Sequence, residues 1–184
     1  IQASVKKLRP SRRGFSKKAL LLGILFAAAV ALGLLVSEAL PASPNSYVYL
    51  PLQGTNGRTY SLSSFRGKPL LVEFMDTSCS YCLKQVPELK TLHSRYPDSL
   101  SILTVAVQQG GDTLETLASY EHKTDADWLH TLDKSGALSS SFKVDRIPTI
   151  LILDAEGKER ARFVGLTSAE TISSKLLAIE SEKT

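Results

Sequence analysis

The chain has 184 residues, of which 43% are hydrophobic and 22% charged, and its formal net charge is +4. Seven of the 22 basic residues lie in residues 1–18, so the remaining 15 face 18 acidic residues and the rest of the chain carries a net charge of −3. The positive total therefore does not indicate a nucleic-acid-binding surface, and we expect no nucleic-acid partner.

Residues 19–36 form an uncharged apolar run, and the basic residues before it are not accompanied by any acid. A helix rises about 1.5 Å per residue, so this run would span roughly 27 Å, close to the thickness of a bilayer core. The positive-inside rule places residues 1–18 in the cytoplasm as a basic tail and exports the chain after Val36. We predict a single-pass membrane anchor with the following domain on the extracytoplasmic side, periplasmic or at the cell surface.

Two alternatives to a retained anchor remain for this segment. The small residues around Ser37-Glu38-Ala39 would suit cleavage of a signal peptide, although the apolar run is long for one. A soluble core helix is disfavoured because the apolar character continues around the whole helix. Residues 37–46, with their prolines, are predicted to form a linker, and residues 47–184 are long enough for one domain with a hydrophobic core.

The remainder of the chain alternates strand and helix patterns. The first two strands, Tyr47–Leu52 and Arg58–Leu62, are expected to form a hairpin around the turn dipeptide Asn56-Gly57. Further strands are predicted over 70–75, 100–107, 150–153 and 161–164, and helices over 79–96, 113–120, 137–142 and 168–180. This alternation predicts an α/β sandwich with a mixed sheet.

Cys79 and Cys82 are the only cysteines, and they lie where a predicted buried strand is followed by a helix. A disulfide between them would close too short a loop to stabilise the fold much, so a redox-active pair is favoured over a structural one. The N-terminus of a helix stabilises a thiolate. Cys79 is therefore the predicted nucleophile, and Cys82 the resolving thiol.

The strand, Cys-x-x-Cys and helix, together with Pro87 and Arg146-Ile147-Pro148-Thr149, resemble the thioredoxin fold. Residues 62–69, the long stretch between Val107 and Val144, and residues 150–158 resemble more narrowly the membrane-anchored TlpA/ResA-type thiol-disulfide oxidoreductases. The resemblance covers about residues 47–180. It implies a thioredoxin-like fold, with a central mixed sheet flanked by helices, an N-terminal hairpin and an insertion before the cis-proline strand.

The resemblance also implies roles for individual residues. Pro148 matches the cis-proline that lies beside the disulfide and helps to bind the substrate chain, and Ile147 would present its backbone to a bound peptide. Ser80 and Tyr81, between the two cysteines, complete the expected substrate-binding residues. The inner dipeptide of this motif also tunes the redox potential.

Glu73 lies six residues before Cys79 and matches the buried acid beneath the active site of thioredoxins. Its apolar neighbours favour burial over an exposed position on the strand. A buried carboxylate is costly and has a raised pKa, which would suit proton exchange with Cys82. We therefore predict a catalytic role for Glu73.

Several positions depart from the family pattern. Ser78 stands where most thioredoxins have Trp, Met75 replaces a frequent aromatic residue, and Gln85 stands where some ResA-type reductases carry Glu. Residues 74–82 look more like the active site of DsbC/DsbG isomerases. The motif therefore indicates disulfide exchange but leaves the direction of electron flow open.

We predict a membrane-tethered enzyme that exchanges a dithiol and a disulfide with protein substrates, as a reductase, with an oxidase or isomerase as the alternative. The resemblance implies cytochrome c maturation or related thiol supply, with a membrane electron-donor protein as partner. A Cu(I) or zinc chaperone is the alternative from another class, but His93, His122 and His130 lie at no ligand spacing from the cysteines. We expect a monomer without metal or cofactor.

Overall fold

The computed structural model describes residues 46–182 and five isolated positions of the N-terminal segment, residues 22, 23, 26, 27 and 30. The chain divides into two units, Ile1–Ser43 and Pro44–Thr184, and the fold described below belongs to the second. The predicted basic tail, anchor and linker lie almost entirely outside the described residues. Among the residues that are described, no helix has the length and apolarity needed to cross a membrane.

Within residues 46–182 a seven-stranded mixed sheet is flanked by four α-helices. In chain order the elements are β1 (Leu52–Gly54), β2 (Thr59–Tyr60), β3 (Leu70–Met75), α1 (Ser80–Arg95), β4 (Ser101–Val107), α2 (Leu114–Thr124), β5 (Leu129–Asp133), α3 (Ala137–Ser141), β6 (Thr149–Leu153), β7 (Glu159–Val164) and α4 (Ala169–Ser181). The strand order is β2-β1-β5-β4-β3-β6-β7. Strands β3, β4 and β5 run parallel, and the other pairings are antiparallel.

Strand β3 occupies the centre of the sheet, and all six of its residues are buried. Alternate residues face two separate hydrophobic clusters, because successive side chains of a strand point to opposite faces. One cluster includes side chains of α1, α2 and α4, and the other includes those of α3 and two short 3₁₀ turns, Ser46–Tyr49 and Leu62–Phe65. This double burial explains why the strand reads as a continuous apolar run interrupted only by Glu73.

The predicted N-terminal hairpin exists, but its first strand begins at Leu52, where the predicted strand Tyr47–Leu52 ends. Residues Ser46–Tyr49 form a 3₁₀ turn instead, and only Leu52–Gly54 pairs with Thr59–Tyr60. Val48 is buried in the cluster beside α3, and the Tyr47 ring packs against Phe142 with centroids 4.7 Å apart. Tertiary packing has overridden the local preference of this segment for an extended strand.

Strand β5 was missed by the sequence analysis because its sequence, Leu-His-Thr-Leu-Asp, lacks an apolar pattern. Its polar side chains are nevertheless buried and satisfied by hydrogen bonds. Asp133 accepts hydrogen bonds from the backbone N–H and hydroxyl of Ser139, and Thr131 donates to the backbone carbonyl of Thr104. These partners lie on other elements, α3 and β4, so the strand becomes favourable only when those elements pack against it.

Gln85 links α1 by two hydrogen bonds to the segment that leads into α4. Its fully buried amide donates to the backbone carbonyl of Thr167 at 2.8 Å and accepts from the Thr167 N–H at 2.8 Å. A glutamate carboxylate at this position could accept the hydrogen bond but could not donate one. Both hydrogen bonds therefore require an amide such as that of Gln85. Glu88 supports the same contact by accepting from the N–H of Ala169 at 2.7 Å.

Replacement of Gln85 by Leu should lower the free energy of unfolding by about 2 kcal/mol, because both backbone groups of Thr167 would lose their partner. Gln53→Leu is the matched control, since Gln53 is exposed and should tolerate the same change within about 0.5 kcal/mol. Urea denaturation of both variants measures the difference. Equal losses in the two variants would contradict this role of Gln85.

Candidate active site

The two cysteines lie at the N-terminus of α1 and are joined by a disulfide. Cys79 is the residue that caps the helix, and its sulfur accepts a hydrogen bond from the N–H of Cys82 at 3.1 Å. Cys79 is partly exposed, whereas Cys82 is fully buried. Only the sulfur of Cys79 can therefore be reached by a large partner, and the helix N-terminus favours its thiolate once the disulfide opens.

The two residues before Cys79, Thr77 and Ser78, are held by two carboxylates. Asp76 accepts hydrogen bonds from the N–H and hydroxyl of Ser78, at 2.7 and 2.5 Å. Asp112, from the connection between β4 and α2, accepts from the N–H of Thr77 at 2.9 Å and also from its hydroxyl. The loop that presents Cys79 is thereby tied to the neighbouring strand connection.

Gly110 makes room for this arrangement. A Cβ atom at this position would lie 1.1 Å from Oδ2 of Asp76, so any larger residue would force the buried carboxylate to move. The sequence analysis did not select Asp76, Gly110 or Asp112 as site residues. The one available signal was the Gly-Gly-Asp run that follows the apolar strand β4 after two glutamines, and this run does not by itself indicate which loop it contacts.

The predicted substrate-binding residues are only partly brought together. The Ile147–Pro148 peptide bond is cis, and Ile147 and Cys79 line the same cleft of about 450 Å³. Pro148 is buried and its carbonyl accepts from the N–H of Gly165 at 2.7 Å. Ser80 and Tyr81 are exposed on α1 and do not line this cleft.

Other cleft residues were not predicted as site residues, among them Asp76, Val107, Val144 and Arg146. Asp76 directly follows β3, Val107 ends β4, and the other two lie in the segment between α3 and β6. The cleft thus combines apolar walls with charged groups beside the accessible sulfur. Such a surface suits a segment of polypeptide better than a small apolar ligand.

Glu73 lies in the middle of β3 and is only 1% exposed, which confirms its predicted burial. It faces the same side of the sheet as the cluster that contains Cys82. Loss of hydration raises the pKa of Glu73 to about 7, although a hydrogen bond from the Thr104 hydroxyl, 3.0 Å from Oε2, acts in the opposite direction. A carboxyl that titrates near neutral pH can both accept and return a proton.

Aromatic and histidine side chains pack together near Thr104, the hydrogen-bond partner of this carboxylate. Trp128 is buried and donates to the Thr104 hydroxyl, and the rings of His93 and His130 lie at centroid distances of 5.8 and 5.7 Å from the Trp128 ring. Burial lowers the pKa of His130, so this ring is held neutral. Across residues 46–182, no three His, Cys, Asp or Glu side chains are grouped as a metal site.

Disulfide exchange requires one sulfur that a partner can reach and a second sulfur held behind it, and the end of β3 with the start of α1 supplies both. The fold and the cysteine pair together define a thiol-disulfide oxidoreductase of the thioredoxin-like class. The chain belongs to the redoxin family, whose model matches residues 35–177.

Relatives support the same class. The chain is 26% identical over 125 residues to the thioredoxin-like protein YneN of Bacillus subtilis, covering 68% of this chain and 73% of that protein. It is 24% identical over 130 residues to the thiol-disulfide oxidoreductase ResA of Geobacillus thermodenitrificans, covering 70% and 73%. The crystal structure of StoA from Bacillus subtilis superposes with a TM-score of 0.62 at 22% identity, over 74% of this chain and 99% of that one, which confirms the thioredoxin-like fold.

Glu73→Gln should stabilise the oxidised protein by an amount that grows with pH. Between pH 4.5 and about 7 the unfolded carboxyl ionises while the folded one keeps its proton, so the folded state loses relative stability as pH rises through this window. The gain from the substitution should therefore be on the order of 3 kcal/mol larger at pH 8 than at pH 4.

Denaturant unfolding of both proteins over this pH range measures the gain. The matched control is Glu180→Gln, because Glu180 is exposed on α4 and should show no comparable pH dependence. A stability difference between Glu73→Gln and the wild type that stays constant from pH 4 to pH 8 would rule out the raised pKa.

Proposed function

We propose that this protein is a membrane-tethered reductase that opens disulfides in exported protein substrates. The observation that carries the proposal is the asymmetry of the cysteine pair: the sulfur of Cys79 opens onto a polypeptide-sized cleft, while Cys82 is buried on the side of the sheet that holds Glu73. An attacking thiolate and a protected resolving thiol are what sequential exchange needs.

The reaction begins with the reduced dithiol. The Cys79 thiolate attacks one sulfur of the substrate disulfide, the substrate S–S bond breaks, and the departing substrate thiolate takes a proton. Cys82 gives its proton to the Glu73 carboxylate, and the resulting thiolate attacks the sulfur of Cys79. The mixed disulfide breaks, the second substrate thiolate leaves and is protonated, and the Cys79–Cys82 disulfide has formed. The substrate gains the two electrons that the protein loses.

The cleft supplies the binding role in this proposal. Ile147 lines the cleft together with Cys79, and in this proposal the backbone of Ile147 and Pro148 holds an extended substrate segment while exchange occurs. Ser80 and Tyr81 lie on the exposed start of the helix, where they can contact a large substrate that reaches beyond the cleft. These contacts would act on protein substrates and not on small thiols alone.

The cellular setting is part of the same proposal. Residues 19–36 anchor the chain, residues 1–18 remain in the cytoplasm, and the redoxin domain works as a monomer on the extracytoplasmic side. A membrane electron-donor protein then returns two electrons and two protons to the disulfide. The family resemblance supports cytochrome c maturation or a related supply of thiols as the pathway.

A second candidate, a disulfide oxidase or isomerase, is favoured by one observation. The N–H of Cys82 lies 3.1 Å from the sulfur of Cys79 at the helix N-terminus, and stabilising that thiolate favours the reduced state of the protein. A protein whose reduced state is strongly stabilised acts as an oxidant. The exposed Ser80-Tyr81 dipeptide leaves this balance open.

Trapping and redox titration decide between these candidates. Cys82→Ser should accumulate a mixed disulfide with an oxidised protein substrate such as insulin, whereas the matched variant Cys79→Ser should not, because its remaining thiol is buried. Equilibration of the wild type with glutathione buffers should give a reduction potential near that of thioredoxin, about −270 mV. A potential near −120 mV would overturn the reductase in favour of an oxidase.

The anchor is tested separately. N-terminal sequencing of the protein from the membrane fraction of cells that express the full chain should show the basic tail still attached. Mature protein that begins near Leu40 would replace the anchor with a cleaved signal peptide.

A further inference from the structure

Three polar side chains form a buried series of hydrogen bonds that ends at Glu73, on the side of the sheet that faces the cluster containing Cys82. The indole Nε1–H of Trp128 donates to the hydroxyl of Thr104 at 2.9 Å, and this hydroxyl donates to Oε2 of Glu73 at 3.0 Å. The three residues are 6%, 0% and 1% exposed, respectively. Glu73 and Thr104 are partners in the parallel pairing of β3 and β4, and Trp128 directly precedes β5. These hydrogen bonds therefore run from β3 across β4 to the residue that precedes β5.

The direction of these hydrogen bonds follows from the chemistry of the groups. An indole N–H can only donate, so the Thr104 oxygen accepts from Trp128. A hydroxyl has a single proton, and the remaining partner of Thr104 is the Glu73 carboxylate. Trp128 thus occupies the acceptor side of the hydroxyl and leaves its proton directed at Oε2.

The other oxygen of the carboxylate is left available. Oε1 of Glu73 is buried and receives no hydrogen bond from the residues that the structure describes. Because Oε2 is already occupied by a donor, a proton taken up by this carboxyl is best placed on Oε1. A buried oxygen without a hydrogen bond is costly for a side chain with only a structural role. It is useful where a carboxylate must take up and release a proton.

We propose that Thr104 and Trp128 are positioning residues for Glu73: together they direct one hydroxyl proton at Oε2, hold the carboxylate in place and keep its ionised form accessible during exchange. The proposal rests on the proposed role of Glu73 as proton acceptor for Cys82. A hydrogen bond to the charged form of an acid lowers its pKa, and the Thr104 bond acts in this way on Glu73 against the effect of burial.

Other titratable groups face the same region. Helix α1 and its capping residue contribute Cys79, Cys82 and His93, α2 contributes Tyr120, and β5 contributes His130. Strand β6 places the apolar Ile150 beside Glu73. These groups are common to every variant below, so differences between variants report on the hydrogen-bond chain.

The test follows the titration of Glu73 directly. The full chain is labelled with ¹³C at the glutamate carboxyl groups, and the Glu73 signal is identified by its loss in Glu73→Gln. Thr104→Val removes the donor and preserves the side-chain shape, so it should move the midpoint of Glu73 upward by about one pH unit or more. Trp128→Phe should move the midpoint in the same direction by a smaller amount, because the hydroxyl is then free to turn away.

Two variants serve as controls. Thr131→Val makes the same chemical change in the next strand, where the Thr131 hydroxyl donates to the carbonyl of Thr104 and not to Glu73, so the midpoint should stay in place. Thr104→Ser retains the hydroxyl and should also keep the wild-type midpoint. If Thr104→Val does not fold, the Glu73 midpoint of Trp128→Phe is compared with that of Thr104→Ser instead.

Catalysis provides the second readout. The pH dependence of insulin reduction should shift in Thr104→Val by the same amount as the Glu73 midpoint. An unchanged Glu73 midpoint in Thr104→Val overturns the proposal; if that variant does not fold, an unchanged midpoint in Trp128→Phe does so. The proposal is also overturned if Thr131→Val moves the Glu73 midpoint as far as Thr104→Val does. If Glu73→Gln leaves the pH profile of insulin reduction unchanged, the proton-transfer role of Glu73 is wrong. A shift of the Glu73 midpoint in Thr104→Val would still establish that the hydrogen bonds from Trp128 and Thr104 act on Glu73.

Discussion

The burial of β3 on both faces is the constraint on which the rest of the structure depends. A strand covered on both sides cannot shift in register without moving its whole apolar set, so the point at which it ends is well defined. The first turn of α1 follows after a short loop, with Cys79 as its capping residue and Cys82 within the turn. The position of the accessible sulfur is therefore determined by the packing of the sheet centre.

The same burial gives Glu73 its chemistry. A carboxylate on an exposed strand would be ionised at neutral pH and would exchange protons mainly with water. In the centre of the sheet, the loss of hydration and one hydrogen bond from Thr104 act in opposite directions, and the balance leaves the pKa near 7. A destabilising feature of the fold is thus placed where a reversible proton carrier is useful, a common arrangement at functional sites.

Local patterns were sufficient where the physical signal was local. The period of the apolar residues and the turn dipeptide located β3, α1 and the hairpin, and the spacing of Cys79 and Cys82 at a strand–helix junction indicated exchange chemistry. They failed where long-range contacts decide. Strand β5 is stabilised by Asp133 and Thr131 through partners on other elements, and Ser46–Tyr49 forms a turn because Val48 is buried.

The sequence by itself determined the cysteine pair, the buried position of Glu73 and the class of reaction, because these depend on residue types and short spacings along the chain. Only the tertiary structure decided which groups act on them. Asp112 reaches the loop before Cys79, and Trp128 reaches Glu73 through Thr104, across separations of 35, 24 and 31 residues. Such contacts leave no periodic trace in the sequence, because folding alone brings these residues within hydrogen-bonding distance.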